Sequence, residues 1–339
     1  ERALPEPASL GLTLDPVEML RCAPRRDVNM RTLALARADE LAAARAGSQT
    51  SADIHNVARS LIQWDPADSD PASSFQLPVS GFQIWTHDWQ QLLLASEPGI
   101  ELPATLLLPR ESDTRAAAIL HFDDAGRNRL LYRNGLLARA VGFLEREGPH
   151  AAVLTVDLRG WGDSTPAVYP YEMAGWGGVD RYLAYATAAL GDPVLAMRAR
   201  DGLAALAYLR SRPEIDPARI VVTGCGLGGV VALLVAAADG DTAGLITWDA
   251  LVSFRSLIRT TNYRWPADAF LPNVLLYCDL PELVAALACP AVILNPRDGE
   301  GLAVDAERLD ALNVAHSSAV YRRADEGDIT RTLQELVLA

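Results

Sequence analysis

Residues Ile220–Gly229 read IVVTGCGLGG, and Val230–Ala238 continue as VVALLVAAA. The β-branched run at the start of this stretch is typical of a buried strand, and the apolar run after the glycines is typical of a buried helix. Glycines permit the positive φ angles and the close backbone approach that a tight turn requires. The stretch therefore predicts a strand, a tight turn and a helix in immediate succession.

This succession resembles the nucleophile elbow of α/β-hydrolases, G-x-S-x-G, in which a serine sits on a strained strand-to-helix turn. Gly224 and Gly228 match the two outer glycines, and Gly226 stands at the nucleophile position. The resemblance also assigns an oxyanion-hole N–H to Leu227, the residue after the nucleophile. Because glycine has no side chain, the elbow lacks the atom that would attack an ester.

Two alternatives exist for the same glycines. Cys225 is an alternative nucleophile, but it lies one residue early and its side chain should point away from the pocket. A phosphate-binding turn is the weaker alternative, because the stretch lacks Lys-Ser/Thr and departs from the G-x-G-x-x-G spacing.

The charge of the chain restricts its partners. The 339 residues include 30 Lys and Arg against 43 Asp and Glu, which gives a net charge of −13. Nucleic acids and anionic membranes bind basic surfaces, so we expect neither as a partner.

Half of the residues are hydrophobic, which suffices for a large core, and no apolar run is long enough to span a membrane. We expect one large α/β domain with a decorating segment, or two small domains.

The four cysteines show neither C-x-x-C nor metal-ligand spacing, so we expect buried thiols and neither a metal nor a cofactor. They are Cys22, Cys225, Cys278 and Cys289. The chain begins at Glu1 without an initiator methionine, which leaves open a removed leader or upstream domain and a secreted or periplasmic location.

The pattern divides the chain into residues 1–75, a helical arm with a linker, and residues 76–339, an α/β-hydrolase domain. Asn29–Ala46 and Ser51–Trp64 have helical spacing, and Asp65–Pro78 is rich in Asp, Ser and Pro like a linker. We expect the two helices to pack over or beside the edge of the sheet that carries the site.

Two carboxylates follow the predicted strand Ala116–Phe122 at Asp123 and Asp124. In α/β-hydrolases the loop after this strand donates the second oxyanion-hole N–H. Carboxylates at that place oppose the negative charge that develops during ester hydrolysis. The loop therefore departs from the esterase pattern.

The loop Asp157–Ser164 reads DLRGWGDS, a sequence common in hydrolases in which Asp157 and Arg159 brace the turn below the site. Trp161 lies within it, and the aromatic- and glycine-rich segment Pro166–Gly178 follows. Such aromatic side chains line sugar-binding clefts, but they also serve in core or lid packing.

Three stretches together resemble the acetyl xylan esterase and dienelactone-hydrolase-like branch of α/β-hydrolases, to which glucuronoyl esterases are related. They are Ser96–Pro109 (SEPGIELPATLLLP), the loop Asp157–Ser164, and Tyr208–Gly224 (YLRSRPEIDPARIVVTG). The resemblance implies an α/β-hydrolase fold, with a mostly parallel, twisted sheet, helices on both faces and an N-terminal helical arm.

The family orders its triad as nucleophile, acid and histidine. Asp298 stands at the acid position, although Asp298 and Gly299 also make a good turn pair. Asp249 follows the preceding strand, where some relatives carry an acid. Asp328 stands where the family has histidine, so the resemblance leaves two triad positions unfilled.

No histidine is placed to act as the base. His121 lies on the oxyanion side, and His316 precedes the last predicted strand. A serine or cysteine nucleophile needs a neighbouring base near neutral pH.

We interpret the chain as a carbohydrate-esterase-like domain that is catalytically inactive and kept for binding or structure. Its expected partners are a plant-type polysaccharide or its ester, and a covalently linked or associated hydrolase domain. The alternative is an active carbohydrate ester hydrolase with a rearranged site, which uses Cys225 or a water activated by Asp298, Asp124 or Asp328.

Overall fold

A computed structural model describes most of the chain. The described residues are 29–45, 51–65, 74–76, 83–84, 87–110, 114–130, 151–166, 178–315 and 319–338. A further helix that the sequence predicts over Leu130–Glu147 lies almost wholly outside them, and so does most of the aromatic segment Pro166–Gly178. Cys22, His150 and His316 also lie outside the described residues.

Runs of Val, Ile, Leu and Ala form the strands. These are β1 (Ser74–Gln76), β2 (Gln83–Ile84), β3 (His87–Glu97), β4 (Ile100–Pro109), β5 (Ala116–Asp123), β6 (Ala152–Val156), β7 (Ile215–Cys225), β8 (Gly244–Trp248), β9 (Ala291–Leu294) and β10 (Ala319–Arg322).

The described α-helices alternate with the later strands. They are α1 (Met30–Arg45), α2 (Ser51–Leu61), α3 (Gly178–Ala189), α4 (Val194–Ser211), α5 (Leu227–Asp239), α6 (Phe254–Arg259), α7 (Val274–Tyr277), α8 (Leu280–Ala286), α9 (Ala306–Ala315) and α10 (Glu326–Leu338). The sequence analysis did not predict helix α3, because it directly follows the aromatic- and glycine-rich segment Pro166–Gly178 and no separate start signal marks it.

All described strands belong to one sheet, in the order β1-β3-β4-β6-β5-β7-β8-β9-β10, with β2 paired to β3. Strands β6, β5, β7, β8, β9 and β10 run parallel, whereas β3 and β4 enter the sheet antiparallel. The predicted α/β class with a mostly parallel sheet is confirmed. The carboxyl ends of the parallel strands meet at one edge, where the predicted site residues lie.

The core lies on both faces of the sheet, because successive residues of a strand point to opposite sides. Ile220 and Val222 of β7 pack in the cluster that contains the whole buried length of α5. Val221 packs on the other face, in a cluster with Ile329 and Leu333 of α10. The prediction of helices on both faces is confirmed.

The glycines of the quoted stretch let β7, β5 and α5 touch. A Cβ on Gly224 would lie closer than 3.0 Å to the backbone of Gly228, and one on Gly228 would lie closer than 3.0 Å to the backbone of Phe122. A Cβ on Gly229 would come within 2.7 Å of the Cβ of Ala250. Real Cβ atoms essentially never approach so closely, so these positions need glycine.

Helix α2 packs at the carboxyl end of α5. Ile54 is part of the main core. His55 Nδ1 contacts the carbonyl oxygen of Ala237, and Arg59 Nε donates to the carbonyl oxygen of Ala238 at 2.8 Å. The expectation that this helix lies at the site edge is wrong, because α2 closes the end of α5 that is opposite the glycine turn.

Helix α1 is held by ion pairs. Arg45 Nε lies 3.0 Å from Glu282 Oε2, and Arg255 contacts Asp39. Carboxylates and guanidiniums therefore join α1 to α6 and α8.

The predicted linker Asp65–Pro78 contains a strand. Phe75 in β1 is the register partner of Leu93 in β3. Backbone pairing with a long neighbouring strand satisfies main-chain groups without any local β pattern, which explains why the composition suggested a linker.

Within the described residues, no single helix is both long and apolar enough to cross a membrane. One pair, Ala267–Tyr277 with Leu280–Ala286, passes that test only jointly and is bent by 65°.

We predict that Gly228→Ala lowers the free energy of unfolding by more than about 2 kcal/mol, because its methyl group would meet the Phe122 backbone. Urea unfolding followed by tryptophan fluorescence measures the effect. Gly244→Ala is the matched control, since its Cβ would meet nothing closer than 3.4 Å. Equal stability of the two variants would contradict the close packing described here.

Candidate active site

Gly226 is the turn between β7 and α5. It has φ 58° and ψ −128°, a backbone conformation that L side chains rarely adopt. Its N–H donates to the carbonyl oxygen of Trp248 at 3.1 Å, which ties the turn to the end of β8. The turn therefore has the strained strand-to-helix form that an elbow needs, without a side chain at its apex.

The carboxylate of Asp124 occupies the space beside this glycine. A Cβ on Gly226 would lie closer than 3.0 Å to Asp124 Oδ2. The same oxygen accepts a hydrogen bond from the backbone N–H of Leu227 at 2.9 Å. That N–H is the donor that the resemblance assigns to the oxyanion hole. The carboxylate thus lies where a nucleophile side chain would begin and already uses the donor an oxyanion would need.

Asp123 is the last residue of β5 and is only 2% exposed. Its Oδ1 accepts from the N–H of Ala125 at 2.8 Å and lies 3.4 Å from Arg129 Nη1. Burial raises the pKa of this carboxyl above its ordinary value, and the N–H of Ala125 and Arg129 oppose the shift. The side chain braces its own loop.

Cys225 packs on the face of the sheet that α10 covers, in line with the sequence argument that its side chain points away. Burial raises the pKa of this thiol strongly, and the charges of Asp123, Asp124 and Asp249 raise it further. The nucleophilic form of cysteine is the thiolate. The surroundings of Cys225 are therefore the reverse of those that activate a cysteine.

Asp298 follows β9 but turns its carboxylate into its own loop. Oδ1 accepts from the N–H of Glu300 at 2.9 Å and from that of Leu302 at 3.0 Å. Its carbonyl oxygen accepts from Trp265 Nε1 at 2.7 Å. The contacts are those of the turn that the Asp298-Gly299 pair allows, and they orient no histidine among the described residues.

Asp249 directly follows β8 and has a left-handed φ of 53°. Its Oδ1 accepts from Arg297 Nε at 3.0 Å and from Nη2 at 2.7 Å. Both side chains are partly exposed, so this pair links the ends of β8 and β9 at the edge of the sheet. Asp249, the other predicted acid, thus has an arginine rather than a histidine as its partner.

Asp328 lies in the first turn of α10. Its N–H donates to Asp325 Oδ1 at 2.8 Å, and its own Oδ2 accepts from the N–H of Asp325 at 3.2 Å. This reciprocal pair is a capping arrangement that satisfies exposed helix-start N–H groups. The residue at the predicted histidine position serves the helix end.

The described histidines lie elsewhere. His55 packs on α5, and His87 Nε2 lies 3.0 Å from the carbonyl oxygen of Ala151. His121 is 1% exposed, with Nδ1 at 2.8 Å from Thr223 Oγ1 and its ring stacked 5.1 Å from that of Trp248. Burial lowers the pKa of His121 to about 3, so it is neutral in the folded protein.

The loop after β6 is locked as the D-x-R-G pattern predicts. Asp157 Oδ2 accepts from the N–H of Asp163 at 2.9 Å, and its carboxylate also pairs with Arg127. Arg159 Nε donates to Asp201 Oδ2 at 2.9 Å. These contacts fix the loop that carries Trp161.

Trp161 is buried and lies under Arg198, whose guanidinium carbon is 4.3 Å from the ring centroid. Arg198 Nη1 also donates to Asp268 Oδ2 at 2.6 Å, and both of these charged side chains are fully buried. Trp161 is therefore a support of the loop rather than an exposed sugar platform. Because Asp268 lies 70 residues after Arg198, no local sequence pattern reveals this pair.

A polar cavity of about 400 Å³ lies at the same edge, and sequence reasoning missed it. Its lining includes Asp180, Asn262, Tyr263, Arg264 and Trp265. The Trp265 indole and the Arg264 N–H both bind the Asp298 loop, which connects the cavity to the acid position. The segment Thr261–Ala267 carries no motif, so no sequence signal could have found it.

The described residues contain no group of three or more His, Cys, Asp or Glu side chains able to hold a metal ion.

No protein-family model matches this sequence, and no curated protein does. Solved structures do match. A Bacteroides fragilis protein described as an acetyl xylan esterase has 13% sequence identity and a TM-score of 0.68, over 89% of this chain and 84% of that one. An acetyl xylan esterase from Paenibacillus sp. R4 has 16% identity and a TM-score of 0.59, over 86% and 95%.

A glucuronoyl esterase from Teredinibacter turnerae has 15% identity and a TM-score of 0.53, over 81% of this chain and 80% of that one. At these identities the likeness is one of fold. The fold is that of the α/β-hydrolase esterases, and the predicted resemblance to acetyl xylan and glucuronoyl esterases is confirmed at this level.

We predict that His121 makes the protein acid-sensitive. The pKa of His121 is about 3 in the folded protein, against 6.5 for an ordinary histidine. Between these two pH values the unfolded chain therefore binds a proton that the folded chain does not. The free energy of unfolding therefore falls as pH drops below 6.5, by about 2 kcal/mol at pH 5.

Urea unfolding of the wild type and of His121→Gln at several pH values measures the contribution of His121 to the pH dependence of the free energy of unfolding. Asp123, whose pKa is raised, acts in the opposite direction in both proteins and cancels in the difference. Parallel stability curves for the two proteins would contradict the buried neutral histidine.

Proposed function

We propose that this chain is an esterase-type α/β-hydrolase domain without ester hydrolase activity, retained to bind a polysaccharide or its ester. The observation that carries the proposal is the contact of Asp124 with the N–H of Leu227 at 2.9 Å, beside a glycine at the nucleophile position. An ester carbonyl gains from this amide only when the oxyanion can reach it. Here the N–H of Leu227 instead donates to the carboxylate of Asp124.

The absence of two triad members adds to this. Removing the serine or the histidine of a triad lowers kcat on the order of 10⁶-fold. Gly226 offers no nucleophile, and Asp328 is engaged in capping α10. A site without these two residues can still bind a ligand, although it cannot catalyse ester hydrolysis by the triad mechanism.

The rearranged active site is the second candidate. The raised pKa of Cys225 argues against a thiolate, and the carboxylates of Asp298 and Asp328 accept from backbone N–H groups of their own segments. The form of this candidate that remains is hydrolysis by a water molecule that Asp124 activates, because Asp124 lies at the elbow itself.

The ligand we infer is a neutral saccharide. Asp123, Asp124 and Asp249 all lie near Cys225 at the edge of the sheet, so an anionic sugar would meet repulsion there. The cavity beside them combines Asp180, Asn262 and Arg264 with an exposed tyrosine, a set that suits hydroxyl groups and a stacked sugar ring. The acetyl xylan named for two structural neighbours fits this chemistry. An associated hydrolase domain stays a prediction.

We predict that the purified chain hydrolyses p-nitrophenyl acetate and acetylated xylan no faster than buffer. Gly226→Ser stays at background, because its Cβ meets Asp124 and no base accompanies the hydroxyl. Release of nitrophenol and of acetate measures both.

Cys225→Ala and Asp124→Asn are assayed beside the wild type. Turnover by the wild type that Cys225→Ala abolishes would establish a cysteine enzyme, and turnover that Asp124→Asn abolishes would establish the water mechanism. Either result ends the inactive assignment.

We predict that xylo-oligosaccharides bind in the 400 Å³ cavity and that Tyr263→Ala weakens binding roughly tenfold, the loss of one stacking platform. Isothermal titration calorimetry gives the affinities. Tyr277→Ala is the matched control, because both tyrosines are 46% exposed and Tyr277 does not line the cavity. Equal losses in the two variants would place the ligand elsewhere.

A further inference from the structure

A second cleft lies away from the elbow, between α6, the start of α8, and α9. Its volume is about 290 Å³, which approaches the size of small-molecule pockets. Its lining includes Ser253, Arg255, Arg259, Asp279, Glu282 and Arg308. Three guanidiniums at one cleft are unexpected in a chain of net charge −13.

The carboxylates at this cleft are already engaged. Asp279 accepts from Ser253 Oγ at 2.5 Å, from the N–H of Phe254 at 2.7 Å and from the N–H of Leu280 at 2.8 Å. Glu282 accepts two hydrogen bonds from one guanidinium, with Arg45 Nε at 3.0 Å and Nη2 at 3.1 Å.

The third carboxylate, Asp39, lies at the rim of the arginine pair. It contacts Arg255 and lies 3.6 Å from Arg259 Nη2. One carboxylate thus serves two guanidiniums. Counting Arg45, the four arginines exceed the three carboxylates by one charge.

Donors remain after these pairs are made. Arg255 Nε is buried and has no hydrogen-bond partner. Arg308 is exposed on α9, and its guanidinium forms no ion pair with any residue in the described part of the chain. A buried unpartnered N–H of a charged group is costly. The exposed guanidinium of Arg308 offers donors that suit an oxyanion in the cleft.

We propose that this cleft binds a tetrahedral oxyanion, the phosphoryl or sulfuryl group of a small molecule, through Arg255, Arg259 and Arg308. Guanidinium groups match such oxygens in geometry and stay charged at every relevant pH. Ser253 and Ser256 line the cleft and are buried, and its volume of about 290 Å³ suits a compact anion rather than a protein segment. The cleft shares no lining residue with the elbow or the 400 Å³ cavity, so it does not depend on the function proposed above.

Isothermal titration calorimetry of the full chain with inorganic phosphate and with sodium sulfate tests the proposal. We expect saturable binding, and a loss of roughly tenfold or more in Arg308→Gln, which removes one charge-assisted contact. The anion that binds more tightly identifies the source. Phosphate binding is expected to strengthen as pH rises through its second ionisation, whereas sulfate binding is not.

Arg331→Gln is the matched control, because Arg331 is an exposed arginine on α10 that does not line the cleft. Arg259→Gln is a second cleft variant, and circular dichroism verifies that each variant is folded. Absence of saturable binding of either anion overturns the proposal. Equal affinity in the wild type, both cleft variants and Arg331→Gln overturns it as well, since the anion would then bind elsewhere.

Discussion

The close approach of β7, β5 and α5 is the constraint on which the rest of the structure depends. Gly224 and Gly228 bring the backbones of a strand, its neighbour and a helix within distances that forbid any side chain. Because α5 is buried along its length, it cannot shift to relieve a clash. The edge of the sheet, and every loop that meets there, takes its position from this contact.

A helix that starts inside a protein leaves N–H groups that need acceptors. At the start of α5 that acceptor is Asp124, and a negative charge there also gains from the helix dipole. The arrangement is favourable for folding and unfavourable for an oxyanion. The same oxygen atom therefore explains both the stability of the turn and the lack of catalysis that we propose. Asp249 with Arg297, and Asp328 with Asp325, repeat the theme of acids bound to structural partners.

The sequence was sufficient for the fold, since apolar runs and glycines act locally and announce β7 and α5 directly. It also predicted the tight strand-to-helix turn at Gly226, which the structure shows. It could not show that Asp124 reaches the N–H of Leu227, because that contact joins residues 103 apart and depends on strand order. Asp298 was predicted as an acid and as a turn residue, and only its distances to Glu300 and Leu302 separate the two. The cavity at Tyr263 has no motif at all, because it arises from the way separate loops meet.

The position of α2 has a consequence for folding during synthesis on the ribosome. His55 rests on Ala237, a residue 182 positions later in the chain. Ribosomes deliver the amino-terminal end first, so α2 is complete long before its binding surface on α5 exists. Its apolar face, with Ile54 and Ala58, stays without its packing partner until α5 has been synthesised. Contacts between residues so far apart in the sequence slow folding. Until they form, the apolar surface of α2 stays exposed, and we expect chaperones to bind the nascent chain there.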